Sequence, residues 1–160
     1  MEAKDLTFNV EGEIFNYRVG AIIINDGKIL MVKDIGYPYY YTVGGRVKLG
    51  ESSADAVVRE CFEETGVRFE IDKLAFVHEN FFKEEVGGKL YHEIAFFYLM
   101  KSPPGETYVS SGTDHVSEIL HWLRIDELES KKIFPAFFKT KLQTAEITFE
   151  HIVENETVQL

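Results

Sequence analysis

The feature that most limits how this chain can fold lies between Ser53 and Gly66. Ser53 suits a helix N-cap, Ala54 to Thr65 keeps a helical period, and Gly66 falls where a left-handed residue ends a helix. On a wheel of about 100° per residue, Val57, Cys61, Ala54, Thr65, Val58 and Phe62 fill an arc of roughly 140°. That arc is the face expected to meet a sheet. Glu60, Glu63 and Glu64 fall together outside it. Like charges three and four residues apart cost a few tenths of a kcal/mol per pair, so a cation is expected to offset them. Several carboxylates on one short stretch are hard oxygen ligands of the kind that suits Mg²⁺ or Mn²⁺.

The rest of the chain supplies the sheet. Residues 6–10 and 14–24 read as strands joined at Glu11-Gly12, and Asn25-Asp26-Gly27 turns the chain into a strand at Lys28–Asp34. A tyrosine cluster (Tyr37, Tyr39, Tyr40, Tyr41) leads to Thr42-Val43, after which Gly44-Gly45 and Gly50 are expected to bracket a loop. Lys73–Phe82 and Lys89–Met100 form a second hairpin about Val86-Gly87-Gly88. Ser102–Thr113 reads as an exposed loop and Glu118–Leu123 as a short strand before Ile125–Ser130. A last helix is predicted from near Pro135 to about Thr144, and Glu146–Val153 alternates like an edge strand. One domain over residues 1–160 is expected, a mixed sheet packed between helices in an α+β or α/β/α sandwich.

Composition narrows the partners. A net charge of −10 and a pI near 5.0 argue against a nucleic acid polymer or an anionic membrane surface. The apolar runs Ala21–Ile24 and Ile94–Met100 fall far short of the roughly 18–20 residues that span a bilayer. One cysteine and an acidic start, Met1 to Asp5, favour the cytoplasm.

Spacing turns the acidic helix into a signature. From Gly45 the chain runs to Glu51, then to Arg59-Glu60, Glu63-Glu64, Gly66 and Val67. The seven fixed identities among these, Val67 being only an apolar position, coincide by chance in a given window on the order of 10⁻⁸ of the time. Over Gly45 to Val67 the chain resembles the Nudix hydrolase family, and Trp122 to Leu128 resembles the segment such proteins carry before a last helix. Val43, where many relatives have proline, and Cys61, in place of a larger aliphatic residue, depart from the pattern without touching its acids.

The resemblance implies a Mg²⁺-dependent hydrolase, Mn²⁺ being an alternative, that cuts a diphosphate linkage in a small nucleotide-like substrate such as ADP-ribose, a nucleotide sugar or a (deoxy)nucleoside triphosphate. It implies that Glu60, Glu63 and Glu64 bind metal and catalyse, that the Gly45 carbonyl adds a ligand, and that Arg59 and Glu51 orient them. Glu60 is assigned as general base, with Glu63 and Glu64 as principal ligands. A further acidic ligand outside the box is expected, Glu93 first and Glu118 or Asp114 after it. Structural roles are expected for His92, His115 and His121. Among the aromatics, Tyr39 and Phe82 are candidates to stack on a nucleobase. The competing reading is a non-catalytic module of the same fold that binds a nucleotide as a signal, and exposed strand edges near both ends admit a homodimer.

Overall fold

The computed structural model describes residues 2–102 and 118–157. Its frame is a mixed sheet in the order β10-β6-β7-β2-β5-β4-β3, with β1 on β2, β8 on β4 and β9 on β5. The strands are β1 (Thr7–Val10), β2 (Glu13–Ile22), β3 (Ile24–Asn25), β4 (Lys28–Asp34), β5 (Tyr40–Arg46), β6 (Ile71–Lys83), β7 (Leu90–Met100), β8 (Glu118–Arg124), β9 (Ile133–Phe134) and β10 (Glu150–Asn155).

The expected hairpins form, because their turns supply residues that accept positive φ. Glu11 and Gly12 stand at φ 53° and 92°, Asp26 and Gly27 at 47° and 69°, and Gly87 and Gly88 at 94° and 68°. The parallel pairings, β2 with β7 and β10 with β6, join segments far apart in the chain. The C-terminal strand lies at the sheet edge as expected, starting at Glu150 rather than Glu146.

Helix α1 (Ser53–Thr65) covers one face of the sheet. Its Ala56, Val57 and Cys61 sit in a core with Val19, Ala21, Val43, Val47 and Tyr98. The cap is Ser52, not Ser53: Ser52 is extended at φ −76° and ψ 155°, and its Oγ accepts the Asp55 amide at 3.1 Å and donates to Asp55 Oδ2 at 2.7 Å. An acid three residues on completes a reciprocal cap for Ser52, whereas Ser53 has Ala56 there and turns its hydroxyl to the Tyr98 hydroxyl at 2.7 Å. Gly66 ends the helix at φ 74°. Phe62 departs from the expected apolar arc: it is exposed, with the Arg68 guanidinium 4.8 Å from its ring centre.

The opposite face carries a second core of Ile22, Ile29, Met31, Phe76 and Phe97, closed by Leu128, Phe137 and Phe138. A 3-10 helix (Ile125–Ser130) and a single turn, α2 (Phe138–Lys141), bring those residues in. The expected helix from Pro135 to Thr144 shrinks to that turn. Phe137 and Phe138 both anchor in the core, and the backbone from Pro135 to Phe137 turns with three-residue hydrogen bonds, Phe138 N to Pro135 O at 3.3 Å and Lys139 N to Ala136 O at 3.1 Å. Two adjacent buried aromatic rings hold the segment against the sheet instead of letting a longer helix present a single stripe. No helix among the described residues is long and apolar enough to cross a membrane.

Gly44 and Gly45 lie inside β5, and the loop they bracket with Gly50 begins after Arg46. A Cβ at Gly44 would stand 2.2 Å from the Val19 carbonyl oxygen, so the strand approaches β2 as only glycine allows.

Candidate functional site

The site forms where α1 crosses β5. Glu60 and Glu64, one helical turn apart, both turn toward the paired glycines. A Cβ on Gly45 would lie 2.5 Å from Glu60 Oε1, so the bare backbone there is the space that admits this carboxylate. The Gly44 amide donates to Glu64 Oε2 at 3.2 Å. Burial pushes the Glu64 carboxyl up to about 9, with the Glu60 charge adding to it and the Gly44 amide opposing it. Burial also raises Glu60, against the pull of Arg59. The Glu60 charge thus makes Glu64 harder to ionise, and the Glu63 charge does the same to Glu60.

Arg59 organises the rim. Its Nε donates to Glu51 Oε1 at 2.7 Å, and its Nη2 donates to Glu51 Oε2 at 2.9 Å and to the Arg46 carbonyl at 3.0 Å. Its Nη1 donates to Glu60 Oε1 at 2.7 Å and Glu63 Oε2 at 3.2 Å. This fork, with the Lys48 amide on Glu51 at 3.0 Å, closes the loop 46–51 onto the helix. The guanidinium holds Glu51 below the ordinary carboxylate range, and Glu51 in turn raises Arg59.

The expected patch of three acids therefore divides. Glu60 and Glu64 turn inward, while Glu63, at 50% side-chain exposure, stays at the rim on Arg59. Among the described residues no three His, Cys, Asp or Glu side chains stand close enough to hold a metal ion by themselves. Two carboxylates crowded against a glycine cradle still fit a hard divalent cation, since Mg²⁺ takes few protein ligands and fills its remaining positions with water and substrate oxygens.

Of the acids expected from outside the helix, Glu118 reaches this neighbourhood. Tyr41 OH donates to Glu118 Oε1 at 2.7 Å, and the Glu118 charge adds to the upward push on Glu64. Burial and then Glu118 raise the Tyr41 phenol well above its ordinary value. Glu93, the first choice from sequence, is engaged elsewhere: Asn16 Nδ2 donates to its Oε2 at 2.7 Å and Arg18 pairs with it at 3.7 Å. Asp114 and His115 lie outside the described residues, as does most of the expected loop Ser102–Thr113.

The aromatic candidates separate. Tyr39 stands edge-on to Phe134 at 5.0 Å, beside Tyr37 and Tyr41, with Lys132 Nζ 5.8 Å from its ring centre. Phe82 stacks on its cross-strand neighbour Tyr91 at 5.1 Å and 7°. His92 lies flat against Phe81 at 4.2 Å, and His121 stands edge-on to Tyr40 at 5.5 Å.

Sequence reasoning passed over Asn16, Arg18 and Arg46. Arg46 Nε donates to Asn16 Oδ1 at 3.3 Å, and through Asn16 the chain of contacts runs on to Glu93 and Arg18. The signal was available: Asn16 and Arg18 are alternate polar residues in a strand that continues into the buried run Val19–Ile22, so they share one face of it.

An acidic helix laid on a mixed sheet, with its carboxylates drawn to a glycine pair and clamped by one arginine, defines the class of protein to which this chain belongs. The NUDIX domain model matches residues 15–142, and the chain belongs to that family. A MutT-like protein of Streptomyces ambofaciens is 30% identical over 112 residues, which cover 70% of this chain and 65% of that protein's length. Among solved structures, the MutT NUDIX hydrolase of Burkholderia pseudomallei superposes with a TM-score of 0.55 at 27% identity, over 70% of this chain and 84% of that one. The mutator MutT protein of Bacillus halodurans shares the fold with a TM-score of 0.66 at 20% identity, over 88% and 91% of the two chains.

Proposed function

We propose that this protein is a Mg²⁺-dependent hydrolase that cuts a diphosphate linkage in a small nucleotide-type substrate. The observation that carries the reading is the pair Glu60 and Glu64, held together against Gly44-Gly45 with both carboxyls raised by burial and Glu64 raised further by the Glu60 charge. Residues folded into such repulsion call for a cation.

Glu60, Glu63, Glu64 and the Gly45 carbonyl would hold the ion. When bound, Mg²⁺ neutralises phosphate oxygens and lowers the pKa of water. Glu60 Oε1 is committed to Arg59, which leaves Oε2 to take a proton from the attacking water. Its raised pKa makes it a stronger base than an exposed carboxylate. Arg59 and Glu51 fix the rotamer of Glu60 by the fork described above. Tyr39, the residue before β5, would offer an edge or face to a base, whereas Phe82 is already stacked on Tyr91. ADP-ribose, a nucleotide sugar and a (deoxy)nucleoside triphosphate all present the required diphosphate. A cytoplasmic setting suits a chain whose one cysteine is buried, its thiol held neutral by burial.

A panel of these nucleotides incubated with purified protein and Mg²⁺ tests the reading. At least one should be hydrolysed, EDTA should abolish turnover, and Glu64→Gln should lower kcat about tenfold or more. Full activity in Glu60→Gln and Glu64→Gln alike sinks the assignment.

A further inference from the structure

Helix α1 covers only part of its face of the sheet. The core beneath it reaches Tyr17 and Phe96, an edge-on pair 5.6 Å apart. Two residues back along β2, and by strand alternation on the same face, stands Phe15. Register sets Phe15 opposite Phe8 of β1 on one side and His92 of β7 on the other, and His92 opposite Phe81 of β6. Four rings thus form one row across four neighbouring strands, and none of them belongs to either core.

The rings touch along the row. Phe8 lies near-parallel to Phe15 at 6.2 Å, Phe15 meets His92 edge-on at 5.3 Å, and His92 lies on Phe81 at 4.2 Å. His92 Nε2 is shut from solvent with no hydrogen-bond partner among the described residues, so the row stays dry even at its one polar ring. Phe8 is 52% exposed, and Val10 on the same face is 62% exposed. Single exposed apolar side chains are ordinary, whereas a contiguous strip of them marks a contact surface.

The charges beside the row select its occupant. Glu13, opposite Val10 on β2, and Lys83, opposite Leu90 on β6, are both exposed and both on the face of the rings. They stand at the same end of their strands, one strand to either side of β7. A two-fold axis lying along β7 in the contact plane carries β2 of one copy over β6 of another. That operation sets Glu13 against Lys83, and Phe15 against Phe81, twice over. The surface is complementary to itself, which is the condition for an isologous pair. A uniformly acidic or basic partner would leave Glu13 or Lys83 facing its own sign.

We infer that the row Phe8-Phe15-His92-Phe81 is the contact through which two copies of this chain pair face to face, with Glu13 of each copy opposite Lys83 of the other. Sheets stacked in this way interdigitate side chains across a layer about 10 Å thick. The rings supply the apolar area. The two charge pairs, being exposed, add little affinity and fix the orientation. This contact uses a sheet face and not a strand edge, and it is independent of the hydrolase reading.

Sedimentation velocity of the full chain should show a dimer at about 100 μM that dissociates on dilution. Phe8→Ser should raise the dissociation constant about tenfold or more. Glu13→Lys and Lys83→Glu each bring like charges together twice, and each should raise it about threefold or more. The double exchange Glu13→Lys with Lys83→Glu should return it to within about twofold of the parent. Both charged positions are exposed, so the exchanges read the contact even if Phe8→Ser fails to fold. A parent chain that stays monomeric at that concentration overturns the assignment. So does a dimer indifferent to either single exchange, as one joined through the free edge of β10 would be, or one that the double exchange does not restore.

Discussion

Two adjacent glycines do different work, and alanine at each should separate the effects. At Gly44 the added Cβ meets the Val19 carbonyl at 2.2 Å on a backbone of φ 154°, a clash with main chain that cannot move aside. Gly44→Ala should therefore cost about 1–3 kcal/mol of stability or more, read by denaturant unfolding. At Gly45 the added atom meets the end of the Glu60 side chain, which can swing away. Gly45→Ala should leave unfolding nearly unchanged and instead weaken Mg²⁺ binding and kcat. Equal loss of stability in both variants would contradict this division. The glycine pair was legible in the sequence, but not its place inside a strand, because nothing local says that β2 passes so close to it.

At the scale of elements, α1 is the part most completely specified by its own residues. Its period, its glycine stop and its acids are all local, and so is its start once the Ser52-x-x-Asp55 pair is noticed. Ser52→Ala should cost about 1 kcal/mol, and Ser52→Thr most of the way back should be recovered, both measured by urea midpoints. No change on the first substitution would show that the cap contributes nothing. The last helix is shorter than its residues suggest for the opposite reason. Its length depends on Phe137 and Phe138 entering a pocket made by Phe76 and Phe97, residues that lie on other strands. The sheet's hairpins were readable from their turns, whereas its parallel pairs carry no turn to announce them.

For the molecule as a whole, stability and metal binding are linked through pH. Glu64 titrates near 9 in the folded state and in the ordinary carboxylate range when unfolded. Between those values the folded chain binds more protons, so stability without metal falls as pH rises, and that contribution is gone above about 9. Burial holds His78 below its ordinary value despite Glu154, 2.9 Å from its Nε2. Its contribution is present above the unfolded histidine value of about 6.5 and is lost as pH falls toward the lower folded value. Metal-free protein should thus be most stable in mildly acidic solution. Mg²⁺ favours the ionised carboxylates and should raise Tm more at pH 8.5 than at pH 6. Thermal melts in EDTA and in Mg²⁺ at the two pH values check this, and an equal Mg²⁺ increment at both would refute it.

The sequence by itself determined the acidic helix, the spacing that ties it to Gly45, the turns and the family, since each of these is written in residues within about one helix or hairpin of one another. Only the tertiary structure decided that Glu60 and Glu64 turn inward while Glu63 stays on Arg59, that Glu118 approaches them, and that Glu93 is bound instead to Asn16, 77 positions away in the chain. Those outcomes depend on register between distant strands, and register is fixed by the packing of the entire sheet, which no local pattern of residues encodes.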